Sequence, residues 1–188
     1  MSQTYLEVIA LGRVLDEGRG SMPFALVHGE ALVTTATWAL SDAGVLPVDA
    51  RTADAGLADA DLPLVLHDCL CPMTPPAFIA ECVRCAVEED VVVAGVHPVT
   101  DTLKTLDGHT LGATVNREAL VRVVSPLVVP ASVVARTPGL ADPAGDLAKL
   151  VERLRADGPV VLLEAPPEAM RVNGPDDVRI LEALTLPA

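Results

Sequence analysis

Two neighbouring residues, His67 and Asp68, have the side-chain types and the position that site chemistry requires. They follow the apolar run 62–66, whose length and composition predict a buried strand. In open α/β sheets, ligands bind outside the carboxyl ends of the strands, near a point where the strand order reverses. Asp68 is therefore a candidate carboxylate for a metal or phosphate site. The alternative is that Asp68 only accepts hydrogen bonds from backbone N–H groups of the following loop.

Four cysteines lie close together in the sequence, as a CxC motif followed by a CxxC motif. They are Cys69, Cys71, Cys82 and Cys85. This pattern raises the question of a zinc site. The second pair falls on a predicted helix and the first pair precedes it, so a rise of ~1.5 Å per helical residue separates the pairs too far for one tetrahedral site. We therefore expect no zinc, and free buried thiols in a reducing cytoplasm.

The elements that must position these residues alternate along the chain between strand-like apolar runs and segments of helical period. Strands are expected at 6–11, 45–48, 62–66, 91–96 and 160–164, and helices at 30–43, 76–88, 146–155 and 175–184. This alternation predicts the α/β class, with a mostly parallel sheet under helices. Gly44 should end the first helix, Asp146 should cap the third, and Pro175 should begin the last. The acidic segment 49–61 is expected to be a loop, or at most one helical turn.

Residues 97–124 are expected to form a projecting β-ribbon, because the strand-like segments 99–105 and 110–115 flank the hairpin signal Asp107-Gly108. A two-stranded ribbon is at best marginally stable alone, and this one carries many apolar side chains. They are Val99, Leu103, Leu106, Leu111, Val115, Leu120 and Val121. Burial against a second copy would remove them from water, so we expect a homodimer through the ribbon. The alternative is that the ribbon folds back on its own domain.

Length and charge restrict the class of protein. The 188 residues suit a single domain, 1–188, and 26 acidic against 13 basic side chains give a formal charge of −13. This excess repels phosphate backbones and anionic lipid surfaces, so we expect no nucleic-acid or membrane partner. No apolar run approaches the ~20 residues that span a bilayer, and the N-terminus lacks the basic start of a secretory signal. The expected location is the cytoplasm.

Four segments in order resemble the 2-C-methyl-D-erythritol 4-phosphate cytidylyltransferase family: HDCLCP (67–72), PVTDTLKTLDG (98–108), TVNREALVRVVSP (114–126) and MRVNGPDDVRILEAL (170–184). The resemblance implies a Rossmann-like nucleotide-diphospho-sugar transferase fold with a projecting β-arm. It also implies a homodimer in which the arm of one subunit completes the sugar-phosphate site of the other. The implied reaction transfers CMP from CTP to 2-C-methyl-D-erythritol 4-phosphate, with Mg²⁺, in isoprenoid precursor synthesis by the non-mevalonate pathway.

Residue by residue, the resemblance implies that Asp68 holds Mg²⁺ through the nucleotide and that Arg171 replaces a lysine of the catalytic site. Thr102, with Asp101 beside it, and Arg117 match arm residues that meet the substrate phosphate across the dimer. The alternative is that Thr102 and Arg117 only pair across the hairpin.

The nucleotide-binding loop is less clearly matched. Gly12 corresponds to its first glycine, and Arg13 or Arg19 would replace its lost cations.

The chain also departs from the family pattern. Asp16 and Glu17 bring negative charge to the loop that should cradle a triphosphate, and no lysine precedes Lys104 where the family has Pro-Lys. The arginine of the family's acidic segment is Cys71 here, and segment 49–61 is too short to recognise a cytosine base. The sequence therefore predicts a cytidylyltransferase of weak or altered activity. The alternative is a non-catalytic paralogue that acts as a dimeric binding or regulatory protein.

Overall fold

The structure is a computed structural model that describes residues 8–49, 52, 54–140, 142 and 144–186. Its strands are β1 (Ala10–Leu15), β2 (Leu26–Val27), β3 (Glu30–Ala31), β4 (Val45–Pro47), β5 (Leu64–Asp68), β6 (Val92–Pro98), β7 (Lys104–Asp107), β8 (Thr110–Thr114), β9 (Val121–Val129) and β10 (Val160–Glu164). Its α-helices are α1 (Leu32–Asp42), α2 (Asp54–Asp59), α3 (Pro76–Glu89), α4 (Ala131–Val134), α5 (Leu147–Asp157) and α6 (Pro175–Leu184).

Six strands form the central sheet, in the order β10-β6-β9-β5-β1-β4. All neighbouring pairs are parallel except those of β9, which runs antiparallel to both β5 and β6. The prediction of a mostly parallel α/β sheet is therefore confirmed. No helix in the described ranges is long and apolar enough to cross a lipid bilayer.

Helices cover both faces of the sheet. On one face, α1 and α3 pack on β1, β5 and β6 through a core that includes Leu40, Ile79 and Val93. On the other face, α2, α4 and α5 bury a second core that includes Leu57 and Leu154. These apolar side chains account for the aliphatic composition, because aliphatic residues fill both faces of a parallel sheet.

Most predicted elements are confirmed, and their ends follow the expected local signals. Gly44 adopts a left-handed φ of 79° directly after α1. The Asp146 side chain accepts hydrogen bonds from the backbone N–H groups of Ala148 and Lys149 at the start of α5. The last helix, α6, begins at Pro175 as predicted.

Three elements differ from the predictions. The first strand lies at Ala10–Leu15 instead of 6–11, and residues 6 and 7 are outside the described part of the chain. Segment 49–61 contains α2, which exceeds one turn because Leu57 anchors it in the core. Strand β9 is not among the predicted strands, and its first residues, 121–124, lie in the segment predicted as ribbon.

The ribbon itself consists of β7 and β8, joined at Gly108 with a left-handed φ of 59°. It is shorter than predicted, because residues 97 and 98 belong to β6 and residues 121–124 belong to β9. All of β7 is exposed, with Leu106 and Leu111 exposed by 72% and 73%. The ribbon thus projects from the domain, and the alternative in which it folds back on its own domain is wrong.

Candidate functional site

A cavity of about 430 Å³ lies beyond the carboxyl ends of β1 and β5, next to the antiparallel strand β9. Five segments line it: the loop after β1 with Arg19, the end of β5 with Asp68, β9 with Val123 and Val124, the first turn of α5, and Arg171 before α6. This is the position at which open α/β sheets bind ligands. We call it the Asp68 cavity.

Asp68 is nearly buried at this position, and both of its carboxylate oxygens are engaged. Oδ1 accepts hydrogen bonds from Arg19 Nε at 2.8 Å and from the backbone N–H of Leu70 at 3.0 Å. Oδ2 accepts from Arg171 Nε at 3.0 Å. The carboxylate therefore binds a backbone donor, as the alternative prediction held, and it also holds two guanidinium groups.

The two arginines differ in what else they do. Arg19, whose side chain is 10% exposed, also donates to the carbonyl oxygens of Glu17 at 2.6 Å and Gly145 at 3.2 Å. It thereby ties the loop after β1 to β5 and to the segment before α5. Arg171 is 36% exposed and donates from Nη1 to Asn173 Oδ1 at 2.8 Å. Both arginines line the cavity, and Arg171 is the more accessible of the two to a ligand there.

His67 does not share this cavity. It is completely buried, and burial lowers the pKa of His67 to about 4, so the imidazole is neutral at pH 7. Its Nδ1 is hydrogen-bonded to Ser125 Oγ on β9, and the same Oγ accepts from the backbone N–H of Asp68 at 3.1 Å. His67 Nε2 is buried without a hydrogen-bond partner among the described residues. This pair therefore joins β5 to β9 beneath the site.

The structure does not bring Gly12 and Arg13 to the Asp68 cavity. A Cβ on Gly12 would lie 2.5 Å from Val45 Cγ1, so this glycine allows β1 to pack closely. Arg13 is buried and its Nη2 donates to the carbonyl oxygens of Asp49 at 3.1 Å and Thr52 at 2.8 Å. Burial lowers the pKa of Arg13. In this structure Arg13 supports the backbone between β4 and α2, whereas Arg19 reaches Asp68.

Of the two arginines predicted as replacements for the loop cations, Arg19 is the one that the structure places at the cavity, and the sequence around it contains a signal for this position. Arg19 lies between Gly18 and Gly20, which both adopt left-handed φ values, 72° and 59°. Such glycines permit a tight turn that other residues adopt at a cost. A GRG motif in the loop after a strand, here two residues beyond β1, is therefore typical of a turn that directs its arginine.

The predicted arm residues lie near the base of the ribbon, and none of them lines the Asp68 cavity. Thr102 and Arg117 line a separate cleft of about 290 Å³. Arg117 Nη1 donates to the carbonyl oxygen of Thr100, whereas Asp101 is 4.0 Å from the Arg122 guanidinium on the surface. The role of these residues at a second subunit stays a prediction.

The four cysteines are free thiols. Three of them are buried, and burial raises the pKa values of Cys69, Cys71 and Cys82 to about 12. They are therefore protonated and poor nucleophiles at neutral pH.

A magnesium ion does not fit the Asp68 arrangement. Both oxygens hold guanidinium N–H groups, and within the described ranges no group of three or more His, Cys, Asp or Glu side chains is placed to hold a metal. A doubly charged ion ~4.5 Å from a guanidinium is repelled by ~7 kcal/mol at an effective dielectric constant of ~20. Asp68 offers one negative charge against two such cations, so the site is unfavourable for a divalent ion.

Comparison with known proteins identifies relatives that match most of the chain. Residues 52–186 match the family model described as 2-C-methyl-D-erythritol 4-phosphate cytidylyltransferase. A protein of that name from Corynebacterium diphtheriae is 31% identical over 170 residues, which is 87% of this chain and 64% of the relative. The Thermus thermophilus protein is 33% identical and covers 93% of both chains, and the Rhodococcus jostii protein is 35% identical over 93% of this chain and 80% of the relative.

Solved structures show the same fold. The crystal structure of the Thermus thermophilus 2-C-methyl-D-erythritol 4-phosphate cytidylyltransferase superposes with a TM-score of 0.71 at 23% identity, over 94% of this chain and 98% of that one. The Anaerococcus prevotii 4-diphosphocytidyl-2C-methyl-D-erythritol synthase gives 0.65 at 12% identity, over 96% and 99%. The predicted nucleotide-diphospho-sugar transferase fold is therefore confirmed.

Proposed function

Since the chain belongs to the 2-C-methyl-D-erythritol 4-phosphate cytidylyltransferase family, we propose that it is a non-catalytic member that binds a phosphorylated sugar alcohol in the Asp68 cavity. One observation carries this proposal. Arg19 and Arg171 occupy both oxygens of Asp68, so the side of the site that would hold metal and nucleotide is already filled. Arg171 keeps part of its guanidinium exposed for a phosphate group.

The charge of the cavity favours a phosphate monoester over a nucleoside triphosphate as its ligand. Glu17, Asp68 and Asp146 line it together with Arg19 and Arg171, so its formal charge is one unit negative. A triphosphate carries more negative charge than a monoester, and the repulsion grows with that charge. Glu17 and Asp146 are not buried, so solvent screens them, whereas Arg171 can contact a phosphate directly.

Segments that a relative contains and this chain lacks also support weaker nucleotide binding. The alignment with the Thermus protein spans 204 positions although this chain has 188 residues, so the relative contains segments without a counterpart here. The predicted loss of a base-binding turn falls between β4 and β5, where the described chain forms only α2. In addition, no lysine precedes Lys104 to match the family's Pro-Lys, and the residue after Pro23 in this region is an exposed phenylalanine, Phe24.

A second candidate function is cytidylyl transfer with weak or altered activity. The observation in its favour is Arg19, whose guanidinium lies beside Asp68 in the loop where the resemblance implies a cation for the triphosphate. Cationic positioning is the main contribution that proteins make to reactions at phosphorus. One loop arginine could therefore sustain slow transfer.

We further propose that the protein is a homodimer through its ribbon. Three leucines of the ribbon region are exposed: Leu103 before β7, Leu106 on β7 and Leu111 on β8. Burial of an apolar surface stabilises association by about 25 cal/mol per Å² before the costs of binding are subtracted. In the arrangement that the family resemblance implies, Thr102 and Arg117 would reach the Asp68 cavity of the second copy, and Arg117 would make that cavity less negative.

The test is calorimetric titration of the full chain with 2-C-methyl-D-erythritol 4-phosphate, and separately with CTP and Mg²⁺. We expect the sugar phosphate to bind and its affinity to fall at least tenfold in Arg171→Gln. The matched control is Arg179→Gln, which removes an exposed arginine that pairs with Asp176 on the same helix. Absence of sugar-phosphate binding at millimolar concentration would reject the proposal.

A pyrophosphate-release assay separates the two candidates. We expect CTP, Mg²⁺ and the sugar phosphate to give no more pyrophosphate than a buffer blank, even at high protein concentration. Release that Arg171→Gln abolishes and Arg179→Gln retains would establish the second candidate instead.

A further inference from the structure

Asp68 is the residue at which the structure and the family resemblance disagree. We infer that Asp68 serves this chain as the buried counter-ion of two arginines and not as a metal ligand, so that an anion in the Asp68 cavity is bound without a divalent cation. That Asp68 does not bind a metal is independent of the proposed function, whereas the binding of an anion without a divalent cation rests on it.

The hydrogen bonds of Asp68 leave little room for a metal ion. Oδ1 accepts from both Arg19 Nε and the Leu70 N–H, which uses the two lone-pair directions of that oxygen. Oδ2 accepts from Arg171 Nε and has one direction left. A metal at Oδ2 would lie next to the Arg171 guanidinium, and a metal at Oδ1 would have to displace Arg19.

Displacement of Arg19 would disrupt more than one contact. Its guanidinium also binds the carbonyl oxygens of Glu17 and Gly145, and its side chain is 10% exposed. If a metal took Asp68, Arg19 would be left as a buried charge without its counter-ion. A charge in that position is strongly unfavourable. A metal ion would therefore have to displace an arginine that these hydrogen bonds already hold at Asp68.

The other carboxylates of the cavity do not complete a metal site. Asp146 Oδ1 already accepts from the backbone N–H groups of Ala148 and Lys149 at the start of α5. Glu17 is exposed on the loop. Across the residues whose positions are given, no three acidic, histidine or cysteine side chains converge. Two guanidinium groups thus occupy the place of a metal beside Asp68.

Metal binding can be measured without any ligand by electron paramagnetic resonance of Mn²⁺, a spectroscopic substitute for Mg²⁺. We expect the wild-type chain, Asp68→Asn and Asp176→Asn to leave the free Mn²⁺ signal equally unchanged. Asp176→Asn is the matched control because it removes an exposed aspartate that pairs with Arg179. Stoichiometric Mn²⁺ binding that only Asp68→Asn removes would overturn the inference.

Thermal unfolding measures the counter-ion role. Asp68→Asn should lower Tm by ~6–12 °C in EDTA, because it leaves the largely buried Arg19 guanidinium without its counter-ion in a chain of this length. Asp176→Asn should leave Tm unchanged, and an unchanged Tm for Asp68→Asn would contradict the inference. If Asp68→Asn does not fold, the wild-type chain provides the same test: its Tm should be equal in EDTA and in millimolar Mg²⁺, and a rise with Mg²⁺ that Asp176→Asn retains would overturn the metal-free interpretation.

Thermal unfolding also tests whether an anion binds without a divalent cation, when 2-C-methyl-D-erythritol 4-phosphate or inorganic phosphate is added in EDTA or in Mg²⁺. We expect the same rise in Tm in both media, and a rise that requires Mg²⁺ would refute metal-free binding. A chain that responds to neither ligand in either medium would reject the proposed function, while the Mn²⁺ measurement would still decide the role of Asp68.

Discussion

The buried His67 should make the protein less stable as the pH falls, and this effect can be isolated. The imidazole extends from β5 to Ser125 on β9 with no exposure to solvent, and burial lowers the pKa of His67 to about 4. In the unfolded chain a histidine has a pKa of about 6.5. Below pH ~6.5 the unfolded state therefore binds a proton that the native state does not bind, so the free energy of unfolding decreases with decreasing pH.

The size of this decrease follows from the two pKa values. Each pH unit between ~6.5 and ~4 costs ~1.4 kcal/mol, and the loss levels off below the native pKa. Between pH 7.5 and 4.5 the contribution of His67 amounts to ~2.5 kcal/mol. That is a large share of the ~5–15 kcal/mol by which a domain is stable.

The assay is urea unfolding at pH 7.5 and 4.5 for the wild-type chain and for His67→Asn. Asparagine keeps a polar group near Ser125 Oγ, the partner of His67 Nδ1, but binds no proton in this range. The wild type should lose ~2.5 kcal/mol more than His67→Asn over this interval. His109→Asn, at the exposed ribbon turn, should keep the wild-type pH dependence. Equal pH dependence in the wild type and His67→Asn would refute the reasoning.

Three further variants test the roles of other residues. Gly12→Ala should destabilise the protein by ~1–3 kcal/mol in urea unfolding, because the new Cβ would lie 2.5 Å from Val45 Cγ1. Arg13→Met should lower the free energy of unfolding by ~2 kcal/mol or more, since it removes the donor to two backbone carbonyl groups, and a stability equal to that of the wild type would contradict this role. Leu106→Glu with Leu111→Glu should change the mass in sedimentation at micromolar concentration from about twice 19.5 kDa to 19.5 kDa, and an unchanged dimer would reject the ribbon as its interface.

Local signals in the sequence predicted the elements whose ends depend on neighbouring residues. The bounds of β10 and α6 agree with the predicted 160–164 and 175–184, because Gly158-Pro159 and Gly174-Pro175 separate them from adjoining segments. Strand β9 was missed for the opposite reason. It contains Pro126, and its place depends on pairing with β5 and β6, which come from distant parts of the chain.

The arginine of the nucleotide-binding loop could not be identified from the sequence, because its identity depends on where β1 ends. Gly12 and Arg13 were assigned to the nucleotide loop by their place after a predicted strand at 6–11. The strand extends to Leu15 instead, so both residues lie inside β1 and the loop begins only after it. A shift of four residues in one strand thus decides between the two arginines that the sequence left open, because it places Arg13 inside β1 and Arg19 in the loop.

The role of Asp68 depended on information that no local pattern contains. Its position at the end of a buried strand was predictable, and that position is confirmed. Its two cationic partners are 49 and 103 residues away in the sequence, and the distances from their Nε atoms to the carboxylate, 2.8 and 3.0 Å, arise only from the fold. The balance between one carboxylate and two guanidinium groups decides whether a metal can bind there. A motif that matches the family at Asp68 therefore identifies the fold and the place of the site, while the chemistry of that place is determined by residues outside the motif.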